Sequence, residues 1–519
     1  MDLFWRYRKY IMYITSNKLF RGIFNIWSFC GIVFLLFTAA LYLQWNGFAE
    51  QGEVNFSTVS WLLYQGYPIY TDIDFPSRYS LQHGPIVYLL AGGIMKLLGP
   101  SYLTAKLSGI LALVASVVVS WIWFSKLIGK KYAFVLLGLE SWILFHWHHA
   151  YFLRPDSMML LCVVVSMYMI TTKQNRLWLI LGLAIPLAIM ANLKIHGVVY
   201  FLPIIAIAYE RLGWKDLLYT GVLALVMAVL PFLLPQISLH NYMIWLFQSF
   251  HHGFSIGNFI PKVAMFVMLF LITITVGNIC GVNVRSFYLR NKQMILALLF
   301  SLLVISIIAS KGGSGTNHIM PFVPLFSYMI IQVISEAKTV TSTSSIKLSS
   351  IILALILVTI TVSGINTEKR LIKTVMTTDR SLMVQDVQSI EKKYAGKTME
   401  IGYGEEKSYH VYRDLIPLPV FHGNPFLIEI VALGDMNTAG LAIPVSTIKS
   451  LEEGMIEVWL IPSGESPFVI GNGPKNKMFD EAFRQAFFNN YTLASSTQYF
   501  DVWEYKGATA VNTKIREGF

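Results

Sequence analysis

Charge is scarce in this chain of 519 residues, of which only 13% are Asp, Glu, Lys or Arg. Soluble domains carry about 25%. With 55% hydrophobic residues and a mean hydropathy of +0.57, the chain cannot be one soluble globule. Cysteine is scarcer still: Cys30, Cys162 and Cys280 all fall inside apolar runs, which argues against a disulfide framework and against a thiolate metal site. Acids are few where the apolar runs are. Residues 1–364 hold 24 Lys and Arg against 10 Asp and Glu, and residues 365–519 hold 16 against 19. The net charge of +11 therefore belongs to the apolar part, where it reads as membrane orientation and not as nucleic acid binding. Long-range repeats and low-complexity tracts are missing, and the C-terminal part has no glycine-rich phosphate loop to support a nucleotide site.

What the chain does have is long apolar runs. A spanning helix needs roughly 20 apolar residues, and eleven runs lie near 24–43, 103–125, 132–147, 156–172, 177–192, 197–209, 217–237, 262–281, 293–309, 319–335 and 348–364. A shorter run, 85–98, ends at Leu98-Gly-Pro100 and predicts a helix lying in the interface. With the N-terminus inside, the cytoplasmic segments carry 17 Lys and Arg, from Arg6, Arg8 and Lys9 to Lys338 and Lys347, and the opposite loops carry 6. That asymmetry places the C-terminal segment outside. The first run has full span length and no small-residue cleavage pattern, which argues against a signal peptide. The expected fold is a polytopic α-helical membrane protein of about 11 transmembrane helices over residues 1–364, with a long first outer loop at 44–102. Residues 365–519 form an extracytoplasmic α/β domain, and the cell inner (plasma) membrane is the expected location. In that domain strand patterns at Met399–Tyr403, Leu427–Leu433, Ile456–Ile461 and Tyr499–Tyr505 accompany a helical pattern at Phe479–Asn489, the mark of a small α/β unit.

The residues able to carry chemistry gather in the outer loops. The first loop is long enough to suggest function and contains Tyr70-Thr-Asp72-Ile-Asp74, then Gln82-His-Gly-Pro85. An Asp-x-Asp pair suits a general base or a divalent ion, although Asp beside Pro and Gly also makes ordinary turns. The second outer loop runs His146-Trp-His148-His149-Ala-Tyr-Phe-Leu-Arg154-Pro-Asp156. Arg154 suits bidentate phosphate binding, while Pro155-Asp156 is equally a helix start. The histidines offer metal ligands, yet imidazoles also populate interfaces because they are amphipathic. Glu140 lies in mid-span, where an acid is a functional candidate or a structural hydrogen bonder. Lys194, in Asn192-Leu-Lys194-Ile-His196, and the turn Lys311-Gly-Gly-Ser-Gly-Thr-Asn317-His318 add cations. The second of these suits an anion or is a plain hairpin.

The order of these motifs resembles a known group. Tyr70-x-Asp72, Gly84-Pro85, an apolar helix, Leu98-Gly-Pro-Ser101, a span, a basic turn and then Arg154-Pro-Asp156 before the fourth span is similar to the GT-C superfamily of polyprenyl-phosphate-sugar glycosyltransferases. The likeness is to the branch holding protein O-mannosyltransferases, the lipid A aminoarabinose transferase and RgtA/B/C/D-like transferases. It covers about residues 60–210, with Lys311–Pro321 as a second anchor. The resemblance implies a catalytic Asp at Asp72, with Asp74 as competitor, and a second-loop acid at Asp156. It further implies lipid-phosphate cations at Lys194 and Lys311, with Arg154 and His318 beside them. It leaves a divalent metal open, with Asp72, Asp74, His148 and His149 as the available donors. The implied activity is sugar transfer from a polyprenyl-phosphate donor to a glycan, lipid or protein acceptor at the outer face of the bilayer, with inversion. The rival readings are a lipid-linked glycan flippase or transporter, whose paired, broken spans are not evident, and a non-catalytic assembly partner of the same fold.

Overall fold

The computed structural model describes residues 18–507 apart from 249–250, 252, 312–313, 338–342, 378, 406–408, 410 and 472–477. Asp2, Arg6, Arg8, Lys9, Lys338, Gly312 and Gly313 lie outside the described residues. Among those described, eight helices are long and apolar enough to cross a membrane: Gly22–Gln44, Tyr102–Ile128, Pro155–Thr172, Arg176–Leu193, Ile195–Leu233, Ile256–Ile279, Thr316–Ser335 and Lys347–Thr377. Val284–Arg290 and Lys292–Ile308, bent by 86°, make a ninth if taken as one span. The eleven runs expected from hydropathy differ from this at two further places. Runs 197–209 and 217–237 fall in the single stretch Ile195–Leu233, which departs from helical geometry at Gly213 (φ 72°, ψ 172°). Run 132–147 is the helix Lys130–Phe145, whose 16 residues rise only about 24 Å, less than a typical hydrocarbon core.

The chain folds as two compact units. Unit 1 comprises the chain up to Leu43, Gly109–Leu230 and Gly253–Val375. Its helices meet where side chains are small. A Cβ on Gly138 would lie 2.2 Å from the Cβ of Ser28, and one on Gly31 would lie 2.5 Å from the Trp142 ring, so these helix backbones approach as small-residue membrane contacts do. Buried polar groups in the same unit find partners: the Glu140 carboxylate accepts from Ser120 Oγ (2.9 Å) and Ser327 Oγ (2.8 Å).

Unit 2 comprises Gln44–Ser108, Pro231–His252 and the chain from Met376 on. The helices Gln51–Tyr64 and Ile86–Leu98 pack closely enough that a Cβ on Gly92 would lie 2.4 Å from the Ser60 carbonyl. The sheet comprises β1 (Met399–Ile401), β2 (Val458–Pro462), β3 (Tyr491–Ser496) and β4 (Phe500–Tyr505), in the order β1-β2-β4-β3. The β1–β2 pairing is parallel and the other two are antiparallel. Every residue of β2 is buried, which explains its unbroken apolar run. The strand expected at Leu427–Leu433 is corrected: only Ile428 makes a bridge, to Arg78, and Ile430–Thr438 is a helix. Glu429 starts it, its carboxylate accepting from the Ala432 N–H at 2.8 Å, an N-cap that outweighs the strand propensity of Ile428, Ile430 and Val431.

Candidate functional site

In unit 1 three helix ends converge on one carboxylate. Arg154 is extended (φ −148°, ψ 159°), as a residue before proline must be, and Pro155 opens the helix with Asp156 in its first turn. The helix Arg176–Leu193 stops at Lys194, also extended, and Asn317 sits in the 3-10 turn Thr316–Phe322. Lys194 Nζ lies 3.0 Å from Asp156 Oδ1, and Asn317 Nδ2 donates to the same oxygen at 2.9 Å. Arg154 Nε lies 3.5 Å from Asp156 Oδ2. Asp156 and Lys194 are 1% and 5% exposed, a buried pair of opposite charge of the kind that burial tolerates only with compensation.

Around this pair stand two imidazoles and two further cations. The His196 and His318 rings are 5.4 Å apart, and His196 Nε2 and His318 Nδ1 are buried without a hydrogen-bond partner. Tyr200 donates to the His318 carbonyl at 2.7 Å. Lys262, buried, donates to the carbonyls of Asn258 (2.7 Å) and Ser314 (3.4 Å), and Lys311 lies within electrostatic range of His196. Lys194 and Arg154 thus face Asp156, with Lys311 near His196 and Lys262 buried on the Ser314 carbonyl, so that cations outnumber acids among these groups. Unpartnered imidazole nitrogens beside them can donate as well as accept. An anion with several acceptor oxygens satisfies both conditions.

Arg154, Asp156, Lys194 and His318, all marked in the sequence, are therefore brought together, with Lys311 near them. Asn317, His196 and Lys262 are the additions. Asn317 and His196 stood in the motifs beside His318 and Lys194, and Lys262 among the outer cations, but nothing local gave any of them a partner. His148 and His149 lie in the 3-10 turn His148–Ala150, their rings stacked 4.8 Å apart with His148 4.7 Å from Phe152, and His149 is within electrostatic range of Asp156.

In unit 2 the Asp-x-Asp pair forms an Asx turn: Asp72 Oδ1 accepts from the Asp74 N–H at 2.9 Å. Both side chains are exposed and turned to solvent chemistry, while Arg78 lies fully buried in the same loop. Its guanidinium donates to the carbonyls of Ile73 and, at 3.2 Å, Asp72. Burial pulls the Arg78 pKa down to about 10 against the opposing pull of Asp74 and Asp72, which leaves it cationic at neutral pH.

No protein-family profile matches the sequence, and no curated protein matches it. Solved structures do resemble the fold, among them two of one protein. ArnT from Cupriavidus metallidurans in the apo state has a TM-score of 0.55 at 13% identity, covering 84% of this chain and 93% of that one. ArnT from the same organism bound to undecaprenyl phosphate has a TM-score of 0.56 at 12% identity, covering 92% and 97%. The chain thus shares the overall fold of ArnT; it is mostly helical, and its described residues include eight or nine helices long and apolar enough to cross a membrane and a small C-terminal sheet.

Proposed function

We propose that the chain is an integral membrane glycosyltransferase that moves a sugar from a polyprenyl-phosphate donor to a glycan, lipid or protein acceptor at the outer face of the membrane. The observation that carries this reading is the buried Lys194–Asp156–Asn317 cluster with its neighbouring cations and the unpartnered nitrogens His196 Nε2 and His318 Nδ1. The fold it shares with a protein crystallised with undecaprenyl phosphate supports the same class of lipid. In the transfer, the bond from the anomeric carbon to the phosphate oxygen breaks and the phosphate leaves with the electron pair. Lys194, Arg154 and Lys311, with His318, stabilise that developing charge, the usual electrostatic share of catalysis. Asp156 positions Lys194 through their 3.0 Å contact. The acceptor hydroxyl attacks the anomeric carbon and gives its proton to Asp72, with Asp74 the alternative base, so that direct displacement inverts the centre.

The test is reconstitution in vesicles with undecaprenyl-phosphate sugars. The expected result is transfer with release of undecaprenyl phosphate, lowered by at least about a hundredfold in Asp72→Asn, and competition by added undecaprenyl phosphate that weakens in Lys311→Met and Arg154→Met. Transbilayer movement of the donor with no bond broken would replace this reading with the transporter. Full turnover in Asp72→Asn with none in Asp74→Asn would move the base by two residues.

A further inference from the structure

The loop that carries Asp72 has no regular secondary structure, yet its backbone is tied down from three sides within unit 2. From within, Arg78 takes the Ile73 and Asp72 carbonyls, and the Thr71 N–H donates to Ser80 Oγ at 2.8 Å. From the segment 231–252, Trp245 Nε1 donates to the Thr71 carbonyl (2.8 Å) and Asn241 Nδ2 to the Tyr70 carbonyl (3.1 Å). From the C-terminal segment, Arg78 pairs with strand-like backbone on both sides of Ile428: its N–H donates to the Leu427 carbonyl (2.6 Å) and its carbonyl accepts from the Glu429 N–H (2.7 Å). Two hydroxyls at the start of the helix Val445–Glu452 complete the hold. Ser446 donates to the Asp74 carbonyl and Thr447 to the Pro76 carbonyl at 2.7 Å.

Irregular backbone orders only where its polar groups are satisfied and the lost conformational entropy is offset. Here much of both is supplied by residues more than 150 positions away in the chain, with Trp245 removed from Thr71 by 174 positions and Ser446 from Asp74 by 372. A turn tied only at its own ends would leave the carboxylate free to sample many directions. This one is tied on the residue before Asp72, on Asp72 itself and on each of the next two.

We propose that Trp245 and the C-terminal residues Ser446 and Thr447 are positioning residues that fix the direction of the Asp72 carboxylate, so that the C-terminal segment works in the chemical step. The inference rests on the reading of Asp72 as the base. Displacing a catalytic group by about 1 Å is enough to cost a hundredfold in rate, and on this reading the loss falls on kcat, since Asp72 acts on the acceptor's proton in the chemical step.

The test measures kcat and KM for the undecaprenyl-phosphate sugar in Thr447→Val, Ser446→Ala with Thr447→Val, and Trp245→Phe, each also on the Asp72→Asn background, in full-length protein. The expected result is a fall in kcat of tenfold or more with KM within about twofold, return of kcat in Thr447→Ser, and no further loss once Asp72 is gone, as for residues that act as a unit. Wild-type kcat in all three variants, or losses that multiply with that of Asp72→Asn, overturns the positioning role while leaving Asp72 as base. Full turnover in both Asp72→Asn and Asp74→Asn overturns the base itself and the inference with it.

Discussion

A lysine ammonium and a carboxylate buried at 3.0 Å from one another are worth little as a net gain, because desolvation offsets most of their attraction, but removing one partner leaves a bare charge. Lys194→Met should therefore destabilise unit 1 by about 3–5 kcal/mol, while Asp156→Asn with Lys194→Met together should recover most of that. Donor binding separates structure from function at this pair. If Lys194 holds phosphate, the double variant regains its melting temperature and still fails to bind undecaprenyl phosphate. A double variant that binds as the wild type does reduces Lys194 to a structural ion pair. Glu140, the other buried acid singled out by its mid-span position, shows the contrasting case. With two serine donors and no cation bonded to it among the described residues, its burial is accounted for by hydrogen bonding.

At the scale of elements, the C-terminal segment uses buried carboxyls as connectors. The Glu400 side chain accepts from the N–H groups of Leu427 (2.6 Å) and Ile428 (3.1 Å), and Glu429 accepts from Gln51 Nε2 (2.6 Å) as well as capping its helix. Burial pushes Glu400 up to about 8 and Glu429 up to about 7, against an ordinary glutamate near 4.3. These two sites hold protons in the folded unit that the unfolded chain has released, so their contribution to its stability is greatest at low pH and falls as pH rises from the unfolded value through the folded ones. His422, raised by its bond to Glu391, acts in the same direction, weakly because it is half exposed. Thermal unfolding of the purified protein should shift downward between about pH 4.5 and pH 8, and Glu400→Gln should flatten that slope whatever its effect at a single pH. An unchanged slope removes Glu400 from the account. These acids escaped the sequence reading because a glutamate in a polar segment has no local sign of burial. The strand pattern at Leu427–Leu433 failed for a related reason: alternating apolar residues fit a half-buried strand or a capped short helix, and the cap decided.

For the whole molecule, the excess of 17 Lys and Arg over 6 between the two sets of loops predicts that the chain from Met376 on lies outside the cytoplasm. A reporter fused after Phe519 that works only in oxidising, extracytoplasmic conditions should be active, and a cytoplasmic-only reporter should be silent. The reverse result would overturn the orientation and the outer-face chemistry together. The sequence by itself determined where the apolar helices lie, because hydropathy over about 20 residues is a local sum. It also determined where several of them start, because Arg154-Pro155-Asp156 constrains its own backbone. Tertiary structure decided which ends meet. Asp156 and Asn317 are 161 positions apart, and the segments Gln44–Ser108, Pro231–His252 and Met376 onward fold as one unit although spans separate them in the chain. The physical reason is that a buried charge or an unpaired carbonyl fixes only that some partner must exist. Which residue answers depends on distances between segments, and those are a property of the folded chain alone.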